Sequence, residues 1–163
     1  MLVLSMKDPI ETGADLIVHP TDVKGMPLSI LTSGYVNRIP QMHEKHLQYC
    51  DKGVIKEGVV WVFQRQKGIM VACVGKETIE GEAVEEVLRK IFSSFEQKEY
   101  TSVSMPFLKG ENEDIRTAAK RYVGYMDWIP ISVHLCFAPH DVEALDWMRC
   151  NYYYLIADET VEE

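Results

Sequence analysis

Two segments carry residue types that could do chemistry. In His19-Pro20-Thr21-Asp22-Val23-Lys24-Gly25-Met26-Pro27, a backbone restrained by prolines holds one carboxylate, one ammonium and one glycine. Asp22 could accept hydrogen bonds from ligand hydroxyls, Lys24 could offset ligand charge, and Gly25 would let a ligand approach the backbone closely. An ordinary crossover turn with solvated charges accounts for the same residues. In Pro106-Phe107-Leu108-Lys109-Gly110-Glu111-Asn112, a strand is expected to run into a helix amino terminus, where free backbone N–H groups and the positive dipole end attract phosphate. A plain strand-to-helix turn capped by Asn112 is the simpler reading, and the geometry allows both. Neither G-x-x-x-x-G-K-[ST] nor G-x-G-x-x-G occurs in the chain.

Other constellations are weaker. His43, His46 and Cys50 would share one helical face, but no fourth zinc ligand is evident, so no metal is expected. His19, followed by proline at a strand end, reads as structural rather than catalytic. Trp147 and Tyr152 to Tyr154 suit a core or dimer patch better than a stacking platform for bases.

The elements that must position these loops follow from the pattern of apolar residues. Short β-type runs fall at Leu2 to Met6, Asp15 to His19, Val59 to Arg65, Ile69 to Val74, Thr101 to Met105 and Ile131 to Phe137, the middle pair joined as a hairpin through Gln66, Lys67 and Gly68. Val84, Val87, Leu88, Ile91, Phe92 and Phe95 step by three and four, which predicts a helix from about Glu80. Leu28 to Tyr49 reads as one or two helices broken near Pro40, and further helices are expected to start near Asn112 and Pro139. Pro20 to Pro27 is expected to be irregular, and Tyr152 to Ile156 fits a strand or a helix end. Strands alternating with amphipathic helices describe an α/β domain, with helices on both faces of a mixed sheet and ligands at the carboxyl ends of its strands.

The 163 residues suit a single domain, residues 1–163, with a short acidic tail from about residue 157. With 25 acidic and 17 basic side chains the formal charge is −8, which argues against general nucleic-acid binding. No run approaches the roughly 20 apolar residues of a membrane span, and Lys7 and Asp8 arrive too early for a signal peptide, so a cytoplasmic location is expected. Cys50, Cys73, Cys136 and Cys150 form no C-x-x-C pair and are expected to be free thiols.

The order of these elements, with Met6-Lys7-Asp8-Pro9-Ile10 after the first strand, DLIVHPTDVKG at 15–25, SVSMPFLKGENEDI at 102–115 and ISVHLCF at 131–137, resembles the macrodomain family. The branch it is most similar to is that of terminal ADP-ribose protein glycohydrolase. The resemblance runs through scattered short matches over most of residues 1 to 137. It implies a three-layer α/β/α fold with a mixed central sheet, binding ADP-ribose or an ADP-ribosylated macromolecule in a cleft at the strand ends, with no cofactor. Asp8 falls where the family hydrogen-bonds the adenine amino group, with backbone contacts from Pro9 and Ile10. Thr21, Lys24, Gly25 and Met26 fall on the loop around the distal ribose; Phe107, Leu108, Lys109, Gly110, Glu111 and Asn112 fall on the diphosphate loop; Phe137 borders adenine.

The chain departs from that branch where the chemistry is done. At the place of the nucleophilic lysine it reads Leu31-Thr32-Ser33-Gly34, with no amine, and at the place of the assisting aspartate it reads Glu113-Asp114. Glu111 would oppose a diphosphate by like charge. Other macrodomains activate a water, for which Asp22, Glu113 or Asp114 could each serve as base. Three readings remain: an ADP-ribose-binding protein that hydrolyses an ADP-ribose derivative, such as ADP-ribosylated protein or nucleic acid or ADP-ribose phosphate; a non-catalytic reader; or a degenerate scaffold acting through protein contacts.

Overall fold

The computed structural model describes residues 2–64, 68–96, 100–126, 131–152 and 155–156. Its strands are β1 (Leu2–Ser5), β2 (Leu16–Asp22), β3 (Val60–Gln64), β4 (Gly68–Gly75), β5 (Ser102–Pro106), β6 (Ser132–Cys136) and β7 (Leu155–Ile156). They form one sheet in the order β3-β4-β2-β5-β6-β1-β7. All neighbours run parallel except β3 and β4, the expected hairpin, which pair antiparallel from Val60 opposite Ala72 to Gln64 opposite Gly68. Gln66 and Lys67 of its turn, and the acidic tail from 157, lie outside the described residues.

The helices are α1 (Tyr35–Arg38), α2 (Pro40–Asp51), α3 (Gly81–Glu96), α4 (Ile115–Met126) and α5 (Val142–Asn151). Strand alternation divides the core between the two faces of the sheet. Leu16, Val18, Met70 and Ala72 pack with Val84, Leu88, Ala118, Tyr122, Leu145 and Met148 of α3, α4 and α5. Ile17, Ile69 and Val71 pack with Tyr35, Ile39 and Met42 of α1 and α2. The result is a three-layer α/β/α sandwich, and β4 is buried along its whole length, as a parallel strand covered on both faces must be.

Three expectations are corrected. β2 continues through Pro20 and Thr21 to Asp22 instead of ending at His19. Its pairing with β5 stops at Ile17, so the missing Pro20 N–H faces no strand there, and the Pro20 carbonyl accepts the Leu28 N–H at 2.9 Å from the returning loop. Leu28 to Gly34 forms turns rather than helix, because Ser29 and Thr32 divert the backbone: Ser29 Oγ accepts the Leu31 N–H and the Thr32 carbonyl accepts the Tyr35 N–H. The break near Pro40 is present, with Pro40 opening α2. The third correction is the cap of α4, which is Asp114 rather than Asn112: its Oδ1 accepts the Thr117 N–H at 2.7 Å. Tyr152 caps the end of α5, Leu155 and Ile156 form β7, which pairs with β1, and Tyr153 and Tyr154 lie outside the described residues.

Candidate functional site

The carboxyl ends of β1, β2, β4, β5 and β6 meet at one edge of the sheet, and the loops leaving β2, β4, β5 and β6 enclose a cavity of about 210 Å³. Leu28 to Leu31 form one wall, Phe107 to Lys109 a second, and Ala138, His140 and Asp141 a third, with Ile79 closing the remaining side. Phe107 is anchored by its N–H on the Cys136 carbonyl at 2.7 Å and by stacking on Phe137 with ring centroids 5.0 Å apart. The Leu108 N–H donates to the phenol oxygen of Tyr122, which burial holds far above its ordinary pKa and therefore neutral. The second wall is thus bolted to the sheet and to α4.

Beyond it, the loop from Lys109 to Asp114 closes on itself. Glu113 accepts the Gly110 N–H at 2.7 Å and pairs with both terminal nitrogens of Arg121 on α4. Burial pushes the Glu113 carboxyl up, but the hydrogen bonds from Arg121 and Gly110 outweigh it and hold the group below the usual carboxylate range. The Lys109 ammonium turns inward to the carbonyls of Gly110 and Glu113, at 3.1 and 2.8 Å. Gly110 has no room for a side chain, since a Cβ would lie 2.9 Å from the Glu113 carboxylate. Glu111 and Asn112 are exposed at the tip.

The three carboxylates proposed as bases therefore all have structural partners. Asp22 Oδ1 accepts the N–H groups of Lys24 and Met26, at 2.8 and 2.9 Å, and shapes the loop in which Gly25 takes φ of +92°. Glu113 belongs to the Arg121 pair. Asp114 caps α4, a bond that holds its carboxyl below the ordinary value.

Behind the first wall lies a buried histidine network. The Trp61 indole N–H, which can only donate, points at His46 Nδ1 at 2.9 Å, so His46 is neutral with its proton on Nε2, 3.1 Å from the Thr21 hydroxyl. Burial lowers the His46 pKa to about 4, consistent with that tautomer. The arrangement accounts for Thr21 and for the His43, His46 and Cys50 face: both His46 nitrogens are already taken. His19 Nδ1 meets the Thr32 hydroxyl at 2.9 Å, and burial lowers its pKa to about 3, so it too stays neutral.

Of the residues expected at the site, Phe107, Leu108 and Lys109 line the cavity. Thr21, Pro9 and Phe137 are buried and do not line it, and Met26 and Ile10 stand exposed. Asp8 Oδ1 accepts the Ile10 N–H at 3.0 Å and the Tyr35 hydroxyl at 3.1 Å, tying the turn after β1 to α1. Ser29, His140 and Asp141 were missed. The signal for the last two was their place directly after a strand run, in a loop already marked as part of the binding edge. Burial raises the Asp141 carboxyl, with His140 and Lys109 acting against that rise.

No protein-family model matches the chain, and no curated protein matches its sequence. Solved structures do. The macrodomain of Mycobacterium tuberculosis DarG superposes with a TM-score of 0.73 at 18% identity, over 85% of this chain and 98% of that one. The macrodomain of Thermus aquaticus DarG gives 0.72 at 16% identity, over 83% and 97%. Thermosipho africanus DarTG in complex with ADP-ribose gives 0.70 at 15% identity, over 84% of this chain and 42% of that one.

Proposed function

Because the chain has the macrodomain fold, we propose that it binds ADP-ribose or an ADP-ribosyl group and releases it unhydrolysed. The observation that carries this reading is the cavity at the carboxyl edge, one wall of which, Phe107 to Lys109, belongs to a loop that the family resemblance assigns to the ligand, in a fold with a neighbour solved with ADP-ribose. Support for a binding rather than a hydrolytic role comes from the chemistry of the edge. Asp22 is engaged by two backbone N–H groups, and Glu113 and Asp114, held below the ordinary carboxylate range by Arg121 and by backbone N–H groups, are poor proton acceptors. No lysine stands at the nucleophile's place in Leu31-Thr32-Ser33-Gly34, and Lys109 bonds to two carbonyls.

Calorimetric titration with ADP-ribose, with AMP and ADP as controls, tests the binding claim. Affinity in the micromolar range that AMP and ADP do not reproduce is expected. Absence of heat at millimolar ligand, in protein shown to be folded, refutes it and leaves the degenerate scaffold. Incubation with ADP-ribosylated protein, ADP-ribosylated nucleic acid and ADP-ribose phosphate tests the second claim, and release of product at a rate above buffer refutes the non-hydrolytic role.

A further inference from the structure

On the solvent side of the helix layer, a groove of about 340 Å³ lies between α4 and α5, lined by Arg116 and Lys120 from α4, Trp147 and Asn151 from α5, and Tyr152 at its end. Each wall is built on a pair of residues four apart, which sets both side chains on one face of their helix about 6 Å apart along its axis. The inner faces of the same helices, with Ala118 and Tyr122 on α4 and Leu145 and Met148 on α5, are buried in the core. Trp147 and Tyr152 rest against that core and meet edge to face, with ring centroids 5.7 Å apart.

The charge of the α4 wall runs against that of the chain. The protein has eight excess negative charges, yet α4 carries three basic residues and no acidic one. Arg121 is held by Glu113, but neither Arg116 nor Lys120 has an ion pair or a side-chain hydrogen bond among the described residues. The other described arginines are engaged: Arg38 lies over the Tyr35 ring, Arg89 pairs with Glu86 and Arg149 with Asp146. The acids nearest in sequence are engaged as well, since Asp114 caps α4 through the Thr117 N–H and Asp146 stands 3.6 Å from Arg149. Among the described residues, no carboxylate lines the groove.

A wall of cations facing a wall of aromatic rings suits a ligand with negative charge on one side and an apolar group on the other. An extended polypeptide supplies both, because side chains i and i+2 point the same way about 7 Å apart while i+1 points the opposite way. That interval matches the single helical turn between Arg116 and Lys120. A nucleic acid strand instead carries a phosphate at every nucleotide, so beyond the groove it meets the acidic remainder of the chain, and two cations release too few counterions to hold it. We propose that the groove between α4 and α5 binds an acidic polypeptide segment in which an apolar residue stands between two acidic ones, the carboxylates meeting Arg116 and Lys120 and the apolar side chain seating on Trp147 and Tyr152. The groove shares no lining residue with the cavity at the strand ends, so this site does not depend on what the cavity holds.

Fluorescence anisotropy of labelled pentapeptides with the full chain tests the site. Ser-Glu-Leu-Glu-Ser is expected to bind, and Ser-Glu-Ser-Glu-Ser and Ser-Lys-Leu-Lys-Ser to bind at least about fivefold more weakly. Arg116→Gln/Lys120→Gln, at two exposed positions, is expected to weaken Ser-Glu-Leu-Glu-Ser about tenfold with the melting temperature unchanged. Arg116→Glu/Lys120→Glu is expected to reverse the order of the glutamate and lysine peptides, a readout that loss of folding does not produce. No binding of Ser-Glu-Leu-Glu-Ser, equal binding of Ser-Glu-Ser-Glu-Ser, or an order of peptides unchanged by the charge-reversed variant overturns the proposal. An oligothymidylate that binds more tightly than the peptide and is lost in the glutamine variant also overturns it, because the occupant is then a nucleic acid. Calorimetry with ADP-ribose on the glutamine variant separates the groove from the cavity: unchanged affinity is expected, and a loss of affinity overturns the assignment of two sites.

Discussion

Acid should destabilise this fold from about pH 6.5 downward, through two buried histidines. His46 and His19 are 2% and 3% exposed, and both must be neutral: a protonated His46 cannot accept the Trp61 N–H, and His19 is buried against Thr32 and the ring of Tyr35. Their folded pKa values, about 4 and about 3, lie below the 6.5 of the unfolded chain. Between those limits the unfolded state binds protons that the folded state does not, so stability rises with pH there and falls as pH drops below 6.5. Each histidine contributes a slope of about 1.4 kcal/mol per pH unit, or roughly 1.3 kcal/mol between pH 7.5 and 5.5, so the pair removes about 2.7 kcal/mol over that interval. Urea unfolding followed by tryptophan fluorescence at pH 7.5, 6.5 and 5.5 measures it. His46→Gln will be less stable at every pH, but the diagnostic quantity is the slope, which should fall to about half. A wild-type stability flat over that interval, or a variant with the wild-type slope, refutes the assignment of neutral buried histidines.

Arg121→Ala leaves the mostly buried Glu113 carboxylate without its cation, and thermal unfolding should report a loss of about 2 kcal/mol that Arg121→Lys partly restores. Asp22→Ala removes the acceptor of two loop N–H groups and should lose about 2 kcal/mol in chemical denaturation, whereas Asp22→Asn keeps the acceptor and should lose less. If Asp22 were instead a base, Asn and Ala would be equally damaging to turnover. Asp141→Asn removes the one carboxylate lining the cavity, and ADP-ribose affinity should rise about threefold at neutral pH. Because burial raises the Asp141 carboxyl, wild-type affinity should fall as pH climbs through and above the ordinary carboxylate range while the Asn variant stays flat, which calorimetry at several pH values will show.

What the sequence made readable was whatever depends on near neighbours. The three-and-four spacing from Val84 to Phe92 became α3, the β-type runs became the strands in their places, and Pro40 divides α1 from α2. What it hid depends on partners far along the chain. Pro20 sits inside a strand because β5 stops pairing at Ile17 and Leu28 returns to its carbonyl, neither of which is local to a proline. Glu113 looks like a free carboxylate until Arg121, two turns into α4, folds back onto it. His46 reads as part of a helical face of possible ligands, and only Trp61 on β3, reached across the sheet, fixes its tautomer. The site was legible as a set of loops but not as a set of side chains.

The Glu113 carboxylate on the Gly110 N–H gives the loop between β5 and α4 an internal tenant. The donor that a phosphate would seek already holds an anion, tethered three residues away and backed by a guanidinium. A phosphate arriving there exchanges one anion for another, so the contact yields only the difference between two similar bonds. If the chain binds ADP-ribose as proposed, discrimination at this loop then falls to the uncharged parts of the ligand, the sugar hydroxyls and the base. A loop arranged in this way would rank anionic ligands by their shape before their charge.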